Sequence, residues 1–154
     1  MKPHYLIASL AVAAASCSSP TAPDTVIPVV RLQTEAFSGF TEPTRTVIRD
    51  ETAWREAWTT LWRFTSFSPS LPDVDFSRDM VVIVALGSQS SSGYSATIES
   101  ATERGDALAI AVSGTSPGRG CVTLTVITNP VDVVRLPRHS AVSFVERRQT
   151  RDCS

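Results

Sequence analysis

Seven consecutive apolar residues, Met80-Val81-Val82-Ile83-Val84-Ala85-Leu86, constrain this chain more than any other stretch of it. The run is rich in β-branched side chains, closed by Gly87, and short for a helix. It predicts a strand covered on both faces, because an alternating pattern would leave one face for water and a continuous one does not. Such a strand needs protein above and below it, so the fold has to be layered. The chain then supplies a serine-rich loop over 87–93, opened and closed by glycines. Tyr94, Ala96 and Ile98 alternate with Ser95, Thr97 and Glu99, a period of two that turns one face to a core. Arg104-Gly105-Asp106 supplies a turn in which Gly105 is free to take a positive φ. Leu108, Ile110 and Val112 alternate on the return strand, so 76–112 predicts a buried strand, a loop and a hairpin.

Upstream, Val30 to Gln33 and Arg45 to Arg49 read as strands, separated by a turn at 38–43. Asp50 has the chemistry of a helix N-cap, with Glu51 in the favourable first turn. Trp54, Ala57, Trp58, Leu61 and Trp62 recur at intervals of three and four, which makes one apolar helical face, and Ser68-Pro69-Ser70-Leu71-Pro72 ends that region. Downstream, the pattern predicts a loop over 113–120 and a strand over 121–128 with Val122, Leu124 and Val126 on one face. A turn at Asn129-Pro130, a strand over 131–136, a loop over 137–140, a strand over 141–145 and a polar tail over 146–154 complete it. The expected class is α+β, mainly β: antiparallel strands in a sandwich-like or meander sheet with one amphipathic helix on one face.

The amino terminus reads differently. Lys2 and the apolar stretch from Tyr5 to Ala15 form a targeting segment over 1–16, too short to cross a bilayer. It ends in Ala14-Ala15-Ser16-Cys17, which resembles the bacterial lipoprotein lipobox and implies cleavage before Cys17 with lipid on its sulfur. The alternative is an ordinary secretory signal cut after Ala13-Ala14-Ala15. Several acyl chains on Cys17 would anchor the protein durably. No aspartate stands next to the cysteine, which by resemblance to sorted lipoproteins favours the outer membrane, with the domain facing periplasm or cell surface. Residues 17–28, rich in Ser, Thr and Pro, read as a tether, leaving 29–154 as one β-rich domain. A net charge of −1 gives no basic field for nucleic acid.

Four sets of residues invite a chemical reading. Gly114-Thr115-Ser116-Pro117-Gly118 is a literal G-x-S-x-G, followed in hydrolase order by Asp132 and His139. Against a small serine hydrolase, the elbow is followed by strand-like sequence, and Pro117 lacks the N–H that an oxyanion hole takes from that position. Asp73, Asp75 and Asp79 suggest calcium, yet Arg78 stands where the loop needs glycine and Val84 where it needs glutamate, so a solvated strand entry is expected and no metal or other cofactor. Trp54, Trp58 and Trp62 could bind sugars or another small ligand if exposed, although their spacing favours a core role. Cys121 and Cys153 are candidates to pair in an oxidising compartment, with two free thiols as the alternative. In an antiparallel meander, loops 87–93, 113–120 and 137–140 would share one end of the sheet. That gathers Ser88, Ser90, Ser91, Ser92, Arg119, Arg138 and His139 beside Tyr94 as candidate partner-binding residues.

With the segments placed, the second half resembles the PrcB C-terminal domain family, accessory subunits of a bacterial surface protease complex. The resemblance is carried by Gly93-Tyr94-Ser95, Leu108 to Val112, Thr115-Ser116-Pro117-Gly118 with Gly120-Cys121, and Thr128-Asn129-Pro130 followed by Val133-Val134. With the 38–39 turn and the tryptophan helix it extends over roughly residues 37–146. It departs from the family at one glycine before Tyr94, where a pair is common, and at Val131, where an aromatic often stands. The resemblance implies a non-catalytic envelope lipoprotein that binds or stabilises another envelope protein, a secreted or surface protease foremost.

Overall fold

The computed structural model describes residues 23–154. The targeting segment, Cys17 and the first part of the tether lie outside the described residues. Two four-stranded sheets and one helix form three layers. The strands are β1 (Thr25–Ile27), β2 (Val30–Glu35), β3 (Pro43–Ile48), β4 (Asp79–Leu86), β5 (Ser95–Arg104), β6 (Ala107–Pro117), β7 (Val131–Pro137) and β8 (Ala141–Arg151), with α1 (Glu51–Leu61) between β3 and β4. One sheet has the order β1-β5-β6-β8 and the other β2-β7-β4-β3. All pairings are antiparallel except that of β6 with β8.

β4 is the doubly covered strand that its sequence predicts. Met80, Val82 and Val84 face the core between the sheets, while Val81, Ile83 and Ala85 face the core under α1. None of the six is more than 1 % exposed, and a fully buried side chain of this kind contributes about 1.5–3 kcal/mol. The helix covers the outer face with Trp54, Trp58 and Leu61, and its first turn is capped by Asp50, whose side chain accepts from the Ala53 N–H at 2.9 Å. The indole N–H groups of Trp54 and Trp58 donate to the carbonyls of Pro72 and Pro69, each at 3.0 Å, so the proline-rich segment after the helix straps over the tryptophans. Trp62 packs edge-on against Trp58 with ring centroids 5.7 Å apart. The tryptophan row is structural, and the faces of Trp54 and Trp58 are not available to a sugar.

One charge is buried where the two sheets meet. Asp132 on β7 is 0 % exposed. Its carboxylate accepts from Arg31 Nε at 2.8 Å and Nη2 at 2.9 Å, from Thr34 Oγ1 at 2.9 Å and from the Ile98 N–H at 2.7 Å. Arg31 also donates to the Ile98 carbonyl at 2.8 Å. These bonds satisfy the backbone where β5 shifts register between Ile98 and Ser100, and so pin the irregular strand of one sheet to the other. The hydrogen bonds that Arg31 donates to Asp132 raise its pKa against the opposing effect of burial.

Three expectations are corrected. Residues 121–128 are not a strand: they cross the end of the sandwich from β6 in one sheet to β7 in the other. The polar tail is the second half of β8, which runs to Arg151. The end of the tether, Thr25–Ile27, is β1, paired with Ala101 to Glu103. The hairpin forms as read, with Gly105 at φ 60°.

Candidate functional site at the open end of the sandwich

The site begins where one sheet outruns the other. β4 ends at Leu86, but β6 and β8 continue past it, side by side. Their inward positions pair in register: Leu108 with Val142, Ile110 with Phe144, Val112 with Glu146, Gly114 with Arg148, and Ser116 with Thr150. The series passes from apolar to polar at the level where the covering sheet stops. Gly114 marks the boundary, because a Cβ there would come within 3.2 Å of Leu86 Cδ2. Beyond it lies a cleft of about 270 Å³, lined by Leu86, Gln89, Tyr94, Ser116, Arg148 and Thr150. On the other side of Tyr94 a second hollow of about 320 Å³ is bordered by Pro117, Val122, Arg151 and the two joined cysteines.

The crossing segment is held at both ends. Cys121 is bonded to Cys153. At its far end the Gln89 N–H donates to the Thr128 carbonyl at 2.7 Å and the Thr128 N–H returns to Gln89 at 3.1 Å. Between them, the Leu124 N–H donates to Ser92 Oγ at 2.8 Å, and the Ser92 N–H donates to the Leu124 carbonyl at 3.0 Å. Thr128 Oγ1 donates to the Ser91 carbonyl, and Asn129 Nδ2 to Ser88 Oγ, both at 2.9 Å. The serines thus serve as a scaffold for this segment. The segment in turn presents apolar side chains to solvent: Val122 is 98 % exposed and Leu124 69 %. Ile127 is exposed as well, as is Phe37, whose backbone bridges Asn129.

Of the residues gathered by the sequence, Ser88, Ser90, Ser91, Ser92, Tyr94 and Arg119 belong to this end. Arg119 is fully solvated beside Asp152, at 3.9 Å. Arg138 and His139 do not belong to it: they are at the opposite end, because β7 runs away from the crossing segment and loop 138–140 follows it. There Arg138 donates to the carbonyls of Arg49 at 3.0 Å and Phe76 at 2.8 Å. His139 lies between the Pro137 carbonyl, 3.0 Å from Nδ1, and Glu103 Oε1, 3.1 Å from Nε2. Both acceptors are satisfied together only by an imidazolium. Burial pushes the His139 pKa down, but the Pro137 carbonyl and the Glu103 carboxylate outweigh it and hold it above the usual value.

The hydrolase residues are likewise apart. Ser116 lies within β6, its hydroxyl 3.1 Å from Thr150 Oγ1; Asp132 is enclosed by Arg31, and His139 faces Glu103. The aspartates of the strand entry do not converge either. Asp75 accepts from the Ser77 hydroxyl at 2.6 Å and its N–H at 3.0 Å, which hold its carboxyl below the usual range, and Asp79 pairs with Arg135 at 3.5 Å. Sequence reading missed Arg148, Gln149 and Thr150. The signal was present, since Val142, Phe144, Glu146, Arg148 and Thr150 continue one period-two series through the supposed tail.

No curated protein and no solved structure matches the chain. A family model does. Residues 80–137, from the buried strand β4 to the end of β7 and including Tyr94 and the crossing segment, match the family described as PrcB C-terminal.

Proposed function

We propose that this chain is a lipid-anchored envelope protein whose sandwich binds another envelope protein at its open end, as a non-catalytic accessory subunit with a secreted or surface protease as partner. The observation that carries the reading is the crossing segment: Val122, Leu124 and Ile127 exposed together on a loop fixed by a disulfide and by the serine loop beneath it. Exposed apolar side chains on a rigid loop are a recognition surface, since their position costs little ordering on binding. The match to the PrcB C-terminal family supports the accessory role.

The route of the chain supports the orientation. Thr25 pairs with Glu103, at the end of the sandwich remote from Tyr94. From Cys17 to Asp24 a fully extended chain reaches about 25 Å, whereas β5 rises about 30 Å between Glu103 and Tyr94. A lipid on Cys17 would therefore leave the open end directed away from the bilayer and toward soluble or surface-bound partners.

Photo-crosslinking from the full chain in its native envelope tests this. A photoreactive residue at Thr123 should capture one dominant protein, a control at Ser140 should capture none, and Leu124→Asp should abolish the capture. Equal capture from both positions, or none from either, would contradict the reading.

A further inference from the structure

We propose that β8 accepts an extended acidic segment of the partner as an additional strand, with one of its carboxylate side chains seated in the Arg148 cleft. The proposal rests on the reading above that another protein binds, and it names the chemistry of what is bound. β8 is 11 residues long and pairs only with β6, so its outer edge is unpaired along its whole length among the described residues. An unpaired edge is a ready template for strand addition, in which backbone bonds give affinity and alternate side chains give specificity.

Charge selects the occupant. Glu146 is engaged by Arg45 at 2.8 Å, and Asp152 lies beside Arg119. Arg147, Arg148 and Arg151 have no ion-pair partner among the described residues. The upper half of the edge is thus cationic on both faces: Arg148 turns inward over the cleft, while Arg147 and Arg151 lie on the opposite face. A second copy of the chain is a poor occupant, because antiparallel pairing of two such edges sets arginine against arginine. An extended segment with acidic side chains at alternating positions turns them all to one face, where they meet Arg148 over the cleft, and acidic side chains at the intervening positions meet Arg147 and Arg151. The cleft receives the inward carboxylate, with Arg148 as its counter-charge, the Ser116 and Thr150 hydroxyls as further donors, and Leu86 and Tyr94 against its methylenes.

The test uses the full chain in detergent and a capped, fluorescent decapeptide of alternating valine and glutamate, read by anisotropy at low salt. The glutamate peptide should bind at least about tenfold more tightly than its glutamine counterpart, and added salt should weaken it. Arg148→Glu should cost at least about tenfold, and so should Gly114→Val, which fills the cleft without changing charge. N-methylation of alternate peptide amides should abolish binding, because it removes the edge hydrogen bonds. Equal binding of the glutamine peptide, binding that survives N-methylation or Arg148→Glu, or no binding at millimolar peptide overturns the proposal. Crosslinking from Thr123 that still captures a partner would then confine the failure to strand addition, whereas loss of that capture as well would remove the accessory reading with it.

Discussion

The two ends of the sandwich are built from the same kinds of residue and use them in opposite ways. At the end that receives the chain, arginine and histidine are turned inward on the protein. Arg138 holds two carbonyls, Arg49 donates to the carbonyls of His139 and Ser140, and His139 bridges Pro137 and Glu103. At the other end, Arg148 overlooks a cleft, Arg119 is solvated, and valine, leucine and isoleucine side chains stand in water. A loop arginine is therefore not in itself a recognition residue. What separates the two ends is whether the donors already have acceptors within the chain.

The comparison can be strained from either side. The largest expected effect is at the open end, where one covalent bond holds the crossing segment to the C-terminal tail. Replacing Cys121 and Cys153 with serine opens a loop with a sequence separation of 32, and should cost about 3–4 kcal/mol by the chain-entropy estimate. Denaturant unfolding measures the loss, and hydrogen exchange should show the added opening in 118–130 and the tail while β4 and β7 stay protected. At the closed end, Arg138→Ala removes two bonds from a charged donor and should cost about 1 kcal/mol.

The smallest effect is a pH dependence. Because the folded state holds the His139 pKa above its ordinary value of about 6.5, protonation favours folding. Its contribution is complete below the unfolded pKa and disappears as pH rises through the higher folded one. His139→Gln should therefore be less stable than the parent at pH 5 and level with it at pH 9, as read by urea midpoints. A deficit that is constant across that range would mean that the bonds to Pro137 and Glu103 do not depend on charge.

Much of this fold was legible because local pattern and layer agree. The unbroken run at Met80 to Leu86 requires cover on both faces and has it, and the hairpin about Gly105 follows from alternation plus one turn residue. The reading failed at 121–128. Val122, Leu124 and Val126 alternate as a strand would, but strand formation depends on an available neighbour as much as on propensity. Here the segment is drawn across the sandwich end by Cys153 on one side and Gln89 on the other. Removing one strand from the count exchanges the two ends for everything that follows. That single step carried Arg138 and His139 to the wrong end of the sequence-based site, and it is also why β6 and β8 run parallel. The Arg148 cleft was hidden for a related reason: a polar tail and the polar half of a long edge strand have the same composition, and only the period distinguishes them.

The central claim is that the open end binds and the closed end only holds the fold together. It is tested most directly by measuring melting temperature and partner capture side by side for Val122→Asp with Leu124→Asp, and for Arg138→Ala. The first variant should lose capture at an unchanged melting temperature, since both side chains already stand in water. The second should melt lower and capture normally. Capture that survives at the open end, or fails when only Arg138 is removed, would contradict the account.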